Sequence, residues 1–470
     1  MHTTMQAATT RTIRAPWLWD GATLHTDACL RIEAGRVVEL QAGDAGRVLW
    51  GRTRPRDRVA LDRHVVAPGL CDAHSHAFQR VFRGHVQHRA AGDSFWAWRQ
   101  AMYGAAGSLS PEAIEAVSAL AFLELLAAGI TAVGEFHYIH HAPDGAPYDD
   151  PHLLAERVIA AARRVGLRIT LLRVVYAASG IAADGSATPP LPEQRRFLSK
   201  SPDAALRACA ELEARFAADP LVVVGLAPHS VRAVPRSWLA EFTAFAGPIH
   251  AHVAEQPAEV AACRAAFGCE PLALLQQAGL LSPRFSAVHL THPEAGDATR
   301  LRDTGARVVA CPSTELDLGD GFLPPAIHAA TRVAVGSDSY AQIEPLGEAR
   351  ALEGHARAAT GQRVFLGDGT PGSLAATLLT MAGRHGHEAV GQPGGTLRPG
   401  DVADFFAVDL DRPAADGVPP LEALALSSRP EWVTDVWIAG VRRLRNGRHA
   451  DEDHIRADFA RLCRPFRPAG

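Results

Sequence analysis

Residues 67–76 read Ala67-Pro68-Gly69-Leu70-Cys71-Asp72-Ala73-His74-Ser75-His76, and the apolar pair Val65 and Val66 comes directly before them. The apolar run is typical of a β-strand, and the Pro-Gly step is typical of its end. Residues two apart in a strand point to the same side, so His74 and His76 should direct two imidazoles at one point. This geometry suits a metal site, although one His-x-His pair is weak evidence in a chain with 22 histidines.

Short apolar runs alternate with helical patterns through the middle of the chain. The β-type runs are residues 65–68, 131–136, 169–176, 222–227, 249–253, 287–290, 308–310 and 333–335. Such nearly continuous apolar runs are typical of parallel strands that are buried on both faces. Helical patterns, for example residues 112–127 and 153–165, lie between most of them. Eight repeats of strand and helix predict an α/β fold of the (β/α)8 or TIM-barrel class.

The two ends of the chain share a different pattern, in which short β-type runs alternate with turns. This pattern covers residues 11 to about 66 and returns near residue 397. We expect both ends to form one small, discontinuous β-sandwich domain, made of residues 1–66 and 390–450, beside a barrel of residues 67–389. Residues 451–470 are predicted to form a C-terminal helix and tail.

The composition excludes several classes of protein. The 470 residues are 47% hydrophobic and carry a formal net charge of −4, so no basic face suggests nucleic acid or an anionic membrane as a partner. No apolar run reaches the ~20 residues of a membrane span, and the first residues do not resemble a signal peptide. Seven cysteines form no Cys-x-x-Cys pair, which indicates reduced thiols and a cytoplasmic location.

Polar residues that can perform chemistry recur where the predicted strands end. They are His74, His76, Glu135, His137, His229, Arg232, His250, His252, His289, His292 and Asp338. Active sites of (β/α)8 barrels lie at this end of the strands. Packing alone does not explain the repetition, because each buried polar group needs a partner.

Three imidazole nitrogens and one carboxylate oxygen form a ligand set that suits a catalytic zinc ion. His74, His76, His252 and Asp338 can supply that set. The spacing does not decide between His250 and His252 as the ligand, since they lie two residues apart on the same strand. His289 and His292 are further candidates.

These residues resemble the amidohydrolase superfamily, and within it the formimidoylglutamate deiminase family. The superfamily pattern is Pro-Gly-x4-His-x-His, then His252 and Glu255, then His289, then Gly-Ser-Asp at residues 336–338. The subfamily strings are His-Ser-His-Ala-Phe-Gln-Arg at 74–80, Phe-Trp-Ala-Trp-Arg at 95–99, Gly-Glu-Phe-His-Tyr at 134–138, His-Val-Ala-Glu-Gln at 252–256, Ser-Thr-Glu at 313–315, Leu-Gly-Asp-Gly at 318–321 and Gly-Ser-Asp-Ser at 336–339. The resemblance covers about residues 15–450.

The resemblance implies a barrel of the metal-dependent hydrolase type and one divalent metal ion, zinc. It implies that the metal ligands are His74, His76, His252 and Asp338, and that the catalytic residues are Glu255, His289 and Asp338. Many relatives bridge two metals with a modified lysine. Lys200 is the only lysine here and lies in the polar run 198–203, outside the predicted strands, so one metal is expected.

The implied reaction is the hydrolysis of N-formimino-L-glutamate to N-formyl-L-glutamate and ammonia in histidine breakdown. The substrate carries two carboxylates, which an arginine fork can bind in a bidentate way. The implied substrate-binding residues are Gln79, Arg99, Tyr138, His229 and Arg232. The expected partners are therefore this small molecule and, by analogy with relatives, a second copy in a homodimer.

Three alternatives remain at this point. A deaminase acting on a purine, pyrimidine or related ring shares every metal ligand but leaves Arg99 and Arg232 without a role. A barrel that has lost catalysis and acts as a scaffold predicts gaps among the ligands, and none is missing. Hydrolysis of the other C–N bond would release formamide instead of ammonia.

Overall fold

The computed structural model describes residues 10–85 and 95–464; within the second range, the side chains of residues 95–97, 100, 101 and 105 also lie outside the description. Its centre is a parallel eight-stranded sheet whose strands follow one another in chain order. The barrel strands, numbered 1 to 8, are Leu70–Ser75, Ile130–His137, Arg168–Val175, Val222–Pro228, Ile249–Val253, Phe285–His289, Arg307–Ala310 and Val333–Val335. The predicted TIM-barrel class is confirmed.

Barrel strands 1 and 8 meet just past the end of strand 8 and bring the sheet close to full closure. The amide of Asp338 donates to the carbonyl of His74 at 2.9 Å, and the amide of His76 donates to the carbonyl of Asp338 at 3.0 Å. Gly336 makes this approach possible, because a Cβ there would lie 2.7 Å from the carbonyl oxygen of His74. The glycine of the Gly-Ser-Asp sequence is therefore needed for the close packing of these two strands.

The prediction that residues 65–68 form the first barrel strand is wrong. His64–Pro68 pairs with Arg11–Trp19 and Phe405–Asp409 in the outer sheet, and the barrel begins at Leu70. The Pro68-Gly69 step marks the end of the outer strand, but apolar residues continue on both sides of it, so periodicity alone does not show that the next strand belongs to another sheet. Gly69 makes the transition, since a Cβ there would lie 2.0 Å from the hydroxyl oxygen of Thr131.

The outer sheet combines both ends of the chain, as expected. Its nine strands are mostly antiparallel: Arg11–Trp19, Leu24–Glu33, Arg36–Gln41, Arg58–Ala60, His64–Pro68, Phe405–Asp409, Val433–Ile438, Val441–Arg445 and Arg448–His449. The sheet has its own apolar core, in which the rings of Phe405 and Trp437 stack at 4.6 Å. The domain limits 1–66, 67–389, 390–450 and 451–470 stay predictions, and residues 1–9 and 465–470 lie outside the description.

Helices surround the barrel and follow most of its strands. The longer ones are Gly43–Arg52, Phe95–Ala106, Pro111–Ala127, Leu153–Val165, Pro202–Phe216, Pro257–Phe267, Pro271–Gln277, Asp297–Thr304, Pro312–Leu318, Pro345–Thr360, Ser373–Ala382, Arg384–Val390 and Glu452–Leu462. Two of these begin with a serine and a proline, at Ser110 and Ser201; the hydroxyl of Ser110 accepts from the amide of Ala113 at the start of helix Pro111–Ala127. Within residues 10–85 and 95–464, no helix has the length and apolar character to cross a membrane.

A buried ion pair joins the N-terminal end of the barrel to the outer sheet. Nε and Nη2 of Arg168 donate to the two carboxylate oxygens of Asp404 at 2.5 and 3.3 Å, and both side chains are almost fully buried. The same carboxylate accepts from the amide of Ala439 at 2.7 Å. Arg168 starts barrel strand 3, whereas Asp404 and Ala439 belong to the outer sheet and its edges, so one carboxylate connects the two layers.

We expect Arg168→Met to lower the free energy of unfolding by about 3–5 kcal/mol, because it leaves a buried carboxylate without its counter-charge. Chemical denaturation measures this change. Arg63→Met is the matched control, since Arg63 pairs with Asp411 at the surface and its removal should cost no more than about 1 kcal/mol. Equal effects of the two substitutions would contradict the role of the buried pair.

Candidate active site

Four side chains from barrel strands 1, 5 and 8 converge at the C-terminal end of the barrel. The Nε2 atoms of His74 and His252 lie 3.2 Å apart. Oδ1 of Asp338 lies 3.5 Å from Nε2 of His74 and 3.3 Å from Nε2 of His76. The three histidines form one group of potential metal ligands, and His74 and Asp338 belong to a second group with His289.

Two of the imidazoles are oriented by backbone carbonyls. Nδ1 of His76 lies 3.0 Å from the carbonyl of Phe136, and Nδ1 of His252 lies 3.0 Å from the carbonyl of His229. Each Nδ1 therefore carries the proton, and each Nε2 turns its lone pair toward the centre, which is the usual arrangement of a metal-binding histidine.

The charge state of these histidines fits a cation site. Burial lowers the pKa of His76 to about 3 and lowers the pKa of His74 and His252 well below the usual range. Neutral imidazoles can each offer a lone pair on Nε2 to a cation that lies between them. Three nitrogens and one carboxylate oxygen suit zinc and similar divalent ions, so the residues fit a bound metal.

Backbone strain marks the same end of the barrel. Asp338 and His289 are both in the left-handed region, with φ of 48° and 71°. Asp72 holds the segment before Asp338, because its carboxylate accepts from the amide and the hydroxyl of Ser337 at 2.9 and 2.5 Å. Non-glycine residues in this region cost energy and persist where the surroundings fix them, which is common at active sites.

Glu135 supports barrel strand 1 from the neighbouring strand. Its carboxylate accepts from the hydroxyl of Ser75 at 2.5 Å and from the amide of Ala77 at 2.9 Å. Burial raises the pKa of Glu135 to about 8. These contacts fix the two residues on either side of His76, so Glu135 orders the ligand strand.

His289, at the end of barrel strand 6, lies between three carboxylates. Its Nδ1 is 3.3 Å from Glu315, and its Nε2 is 3.8 Å from both Glu255 and Asp338. Burial lowers the pKa of His289, but the hydrogen bond to Glu315 and the three negative charges outweigh it and raise the pKa to about 10. Glu315 is held in turn by the amide of Cys311 at 2.7 Å.

Two arginines also line the cavity. Nη2 of Arg232 donates to Glu255, and its Nε is 3.6 Å from Glu259. Arg99, on helix Phe95–Ala106, donates to the hydroxyls of Tyr103 and, at 2.8 Å, of Tyr176. The same cavity is therefore lined by carboxylates, imidazoles and two guanidinium groups.

One cavity brings together nearly all of the candidate residues from the sequence. It is lined by His76, Gln79, Trp98, Arg99, Met102, Tyr103, Tyr138, Tyr176, His229, Arg232, His252, Glu255, Leu318 and Asp338. His74 and His289 do not line the cavity but contact residues that do: His74 contacts His252, and His289 contacts Glu255. His250 does not belong to the site, because its Nε2 bonds the carbonyl of Ala389 at 2.9 Å.

The sequence analysis missed several residues that line this cavity or contact its lining. Tyr176 directly follows barrel strand 3, so the strand-end argument could have found it. Tyr103 lies one helical turn after Arg99, at the spacing where side chains meet. Gln194 lies in the long loop after strand 3, and no pattern in the sequence distinguishes it. Glu315 belonged to a subfamily string, but its contact with His289 was not foreseen.

Comparison with known proteins shows which family has this fold and sequence. Residues 65–443 match the model of the amidohydrolase family, which covers most of the chain. The chain belongs to the amidohydrolase family.

More particularly, the chain is 37% identical to the formimidoylglutamate deiminase of Pseudomonas aeruginosa, over 85% of this chain and 88% of that one. Among solved structures, an amidohydrolase from Brucella melitensis superposes with a TM-score of 0.87 at 32% identity, over 97% of this chain and 99% of that one. An adenosine deaminase from Xanthomonas campestris with bound zinc has a TM-score of 0.81 at 24% identity, over 97% and 98% of the two chains, and shares the fold.

A pair of substitutions tests which histidine of barrel strand 5 holds the metal. We expect His252→Gln to lower the metal content well below about one ion per chain, because one of four ligands is lost. His250→Gln is the matched control, since glutamine keeps a donor for the carbonyl of Ala389 and the metal should remain. Elemental analysis of purified protein measures both; metal loss in His250→Gln alone would reverse the assignment.

Proposed function

We propose that this chain hydrolyses N-formimino-L-glutamate to N-formyl-L-glutamate and ammonia, as a metal-dependent step of histidine breakdown. One observation carries the proposal: a single cavity is lined both by potential metal-binding side chains (His76, His252 and Asp338) and by two arginines. The relative from Pseudomonas aeruginosa, which is named for this activity, supports it. The cytoplasmic location and the homodimer expected from the sequence stay predictions.

The two arginines account for the two carboxylates of this substrate. A guanidinium group binds carboxylate through paired hydrogen bonds and keeps its charge when buried. Arg232 is buried, and Arg99 is held by two tyrosine hydroxyls, so neither belongs to the solvated surface. A purine or pyrimidine has no group that would use both charges.

Gln79, Tyr138 and His229 complete the proposed substrate contacts. Nε2 of Gln79 donates to the hydroxyl of Tyr138 at 3.2 Å, and its buried Oε1 has no protein partner among the described residues. That oxygen suits an N–H donor such as the cationic formimino group. Burial lowers the pKa of His229 well below its usual range, so this side chain binds as a neutral imidazole.

We assign the metal to His74, His76, His252 and Asp338, and zinc is the ion that this ligand set favours. When bound, zinc supplies Lewis-acid activation of the water that attacks the formimino carbon. Asp338 accepts a proton from that water. His289 donates a hydrogen bond to the tetrahedral centre, and its contact with Glu315 fixes which nitrogen faces the reaction.

Glu255 completes the proton transfers in this proposal. As a carboxylate it offers charge complementarity to the cationic formimino group. It then takes up the second proton of the attacking water, which the hydroxyl of the tetrahedral centre loses as the carbonyl forms, and passes it to the terminal nitrogen. The bond from carbon to that nitrogen breaks and ammonia leaves, while the proton on Asp338 returns to solvent. The contact between Glu255 and Arg232 keeps the carboxylate beside the bound substrate.

Purified, metal-analysed protein should release ammonia, and not formamide, from N-formimino-L-glutamate. We expect Glu255→Gln to lower kcat by about 100- to 10,000-fold, because general acid catalysis is lost. Glu241→Gln, at an exposed position, is the matched control and should keep the wild-type rate. Ammonia release that continues unchanged in Glu255→Gln would contradict the assigned role, and formamide release would contradict the proposed bond.

Arg99→Met should raise KM for N-formimino-L-glutamate by about 30-fold, because a charged hydrogen bond to carboxylate is lost. The metal content should not change. Arg195→Met removes an exposed arginine from the nearby loop and controls for loss of positive charge. Turnover of adenosine or cytosine by the wild type, with a KM that Arg99→Met leaves unchanged, would favour the ring deaminase instead.

A further inference from the structure

A hydrogen-bond network beside Arg99 is built around Gln194. This residue lies in the short helix Pro192–Phe197, in the loop after barrel strand 3, and is fully buried. Its Oε1 accepts from the amide of Leu191 at 2.8 Å. That contact fixes the orientation of the side-chain amide, so Nε2 donates to the hydroxyls of Tyr103 and Tyr176 at 3.0 and 2.9 Å.

Arg99 donates to the same two hydroxyls from a second direction. Its Nη2 lies 2.8 Å from the hydroxyl of Tyr176, and its Nε contacts the hydroxyl of Tyr103. A guanidinium and an amide NH2 donate hydrogen bonds and do not accept them. Each tyrosine oxygen therefore receives two donors, which fills both of its lone pairs.

The two phenolic protons must then be donated outside this network. Among the described residues, the only further polar partner recorded for either hydroxyl is the other hydroxyl, at 3.2 Å, and its acceptor capacity is already used. Burial raises the pKa of Tyr176 well above its usual value, so this hydroxyl keeps its proton. Both tyrosines line the cavity, so the protons are available to a ligand there.

We infer that Gln194 is a positioning residue that directs the phenolic protons of Tyr103 and Tyr176 at the side-chain carboxylate of the substrate. This inference rests on the proposed function and deepens it, because it names what selects a dicarboxylate. The two hydroxyls and the guanidinium of Arg99 form a receptor with donors only, which matches an acceptor-only anion.

The distance from the reaction centre decides which carboxylate this receptor takes. Arg232 contacts Glu255, and Glu255 lies 3.8 Å from His289, so Arg232 is next to the reacting groups. The α-carboxylate of the substrate is two bonds from the nitrogen that carries the formimino group, and the side-chain carboxylate is four bonds from it. The side-chain carboxylate therefore extends farther from the reaction centre and suits the receptor around Arg99.

The loop that carries Gln194 is anchored firmly enough to hold this geometry. The buried guanidinium of Arg196 donates to the carbonyls of His141 and Leu109 at 2.7 and 3.0 Å. The carbonyl of Arg196 accepts from the amides of His140 and His141 at 2.8 and 3.1 Å. These contacts connect the loop after strand 3 to the segments that follow strand 2 and helix Phe95–Ala106.

Gln194→Glu tests the inference, because it keeps the shape of the side chain but replaces its NH2 donor with an accepting oxygen. That oxygen would take the phenolic protons and turn them away from the cavity. We expect Kd for N-formyl-L-glutamate, measured by calorimetry on the metal-loaded protein, to rise about 100-fold. Kd for N-formyl-L-norvaline, which has a methyl group in place of the side-chain carboxylate, should stay close to the wild-type value.

Steady-state kinetics give a second measurement, in which KM for N-formimino-L-glutamate rises much more than kcat falls. Glu193→Gln changes the exposed neighbour of Gln194 and should leave both ligands unaffected. If Gln194→Glu does not fold, Gln194→Met removes the donors without adding charge, and the same comparison should show a rise of about tenfold for the dicarboxylate alone.

Equal weakening of both ligands, or no weakening of either, would overturn the inference. A wild-type protein that binds N-formyl-L-glutamate tightly but releases no ammonia from N-formimino-L-glutamate would contradict the proposed reaction instead. The binding comparison would then still decide whether Gln194 sets the preference for the second carboxylate.

Discussion

The contact between barrel strands 1 and 8 is the constraint on which the site depends. The two backbone hydrogen bonds that bring the sheet close to closure use the peptide groups of His74, His76 and Asp338, which are also three of the proposed metal ligands. The closure of the sheet and the positions of these side chains therefore depend on the same three residues. Gly336 permits the close approach and Asp72 ties down Ser337, so the motif Gly-Ser-Asp combines closure, support and ligation in consecutive residues.

Buried acidic and basic side chains surround the contact between barrel strands 1 and 8. Below the cavity, burial raises the pKa of Asp72 to about 7 and of Glu135 to about 8, and both carboxylates are used to hold backbone and hydroxyl groups. Above it, Arg232 faces Glu255 and Glu259. A divalent cation at the histidine cluster would add positive charge between these acids, which is consistent with a fold that keeps so many carboxylates out of water.

The sequence predicted the architecture and the convergence of His74, His76, His252 and Asp338 at the end of the barrel, but not all of the geometry. Seven of the eight predicted barrel strands correspond to strands of the barrel, because buried parallel strands leave continuous apolar runs. The first was placed one strand too early, since apolar residues continue past the Pro68-Gly69 step, where the chain passes from the outer sheet into the barrel. Spacing could not separate His250 from His252; their hydrogen bonds, to Ala389 in one case and His229 in the other, distinguish them.

One physical reason explains why the sequence did not reveal the remaining residues of the site. Strand-end ligands recur with the period of the barrel, whereas Gln194 is defined only by where a long loop places it. Its role depends on the direction of protons at Tyr103 and Tyr176, and that direction follows from counting donors at each oxygen. The proposed chemistry thus lies on strands that the closure fixes, and substrate choice lies on loops and a helix that can change without disturbing it. Members of this fold can therefore keep one metal centre and still act on different molecules.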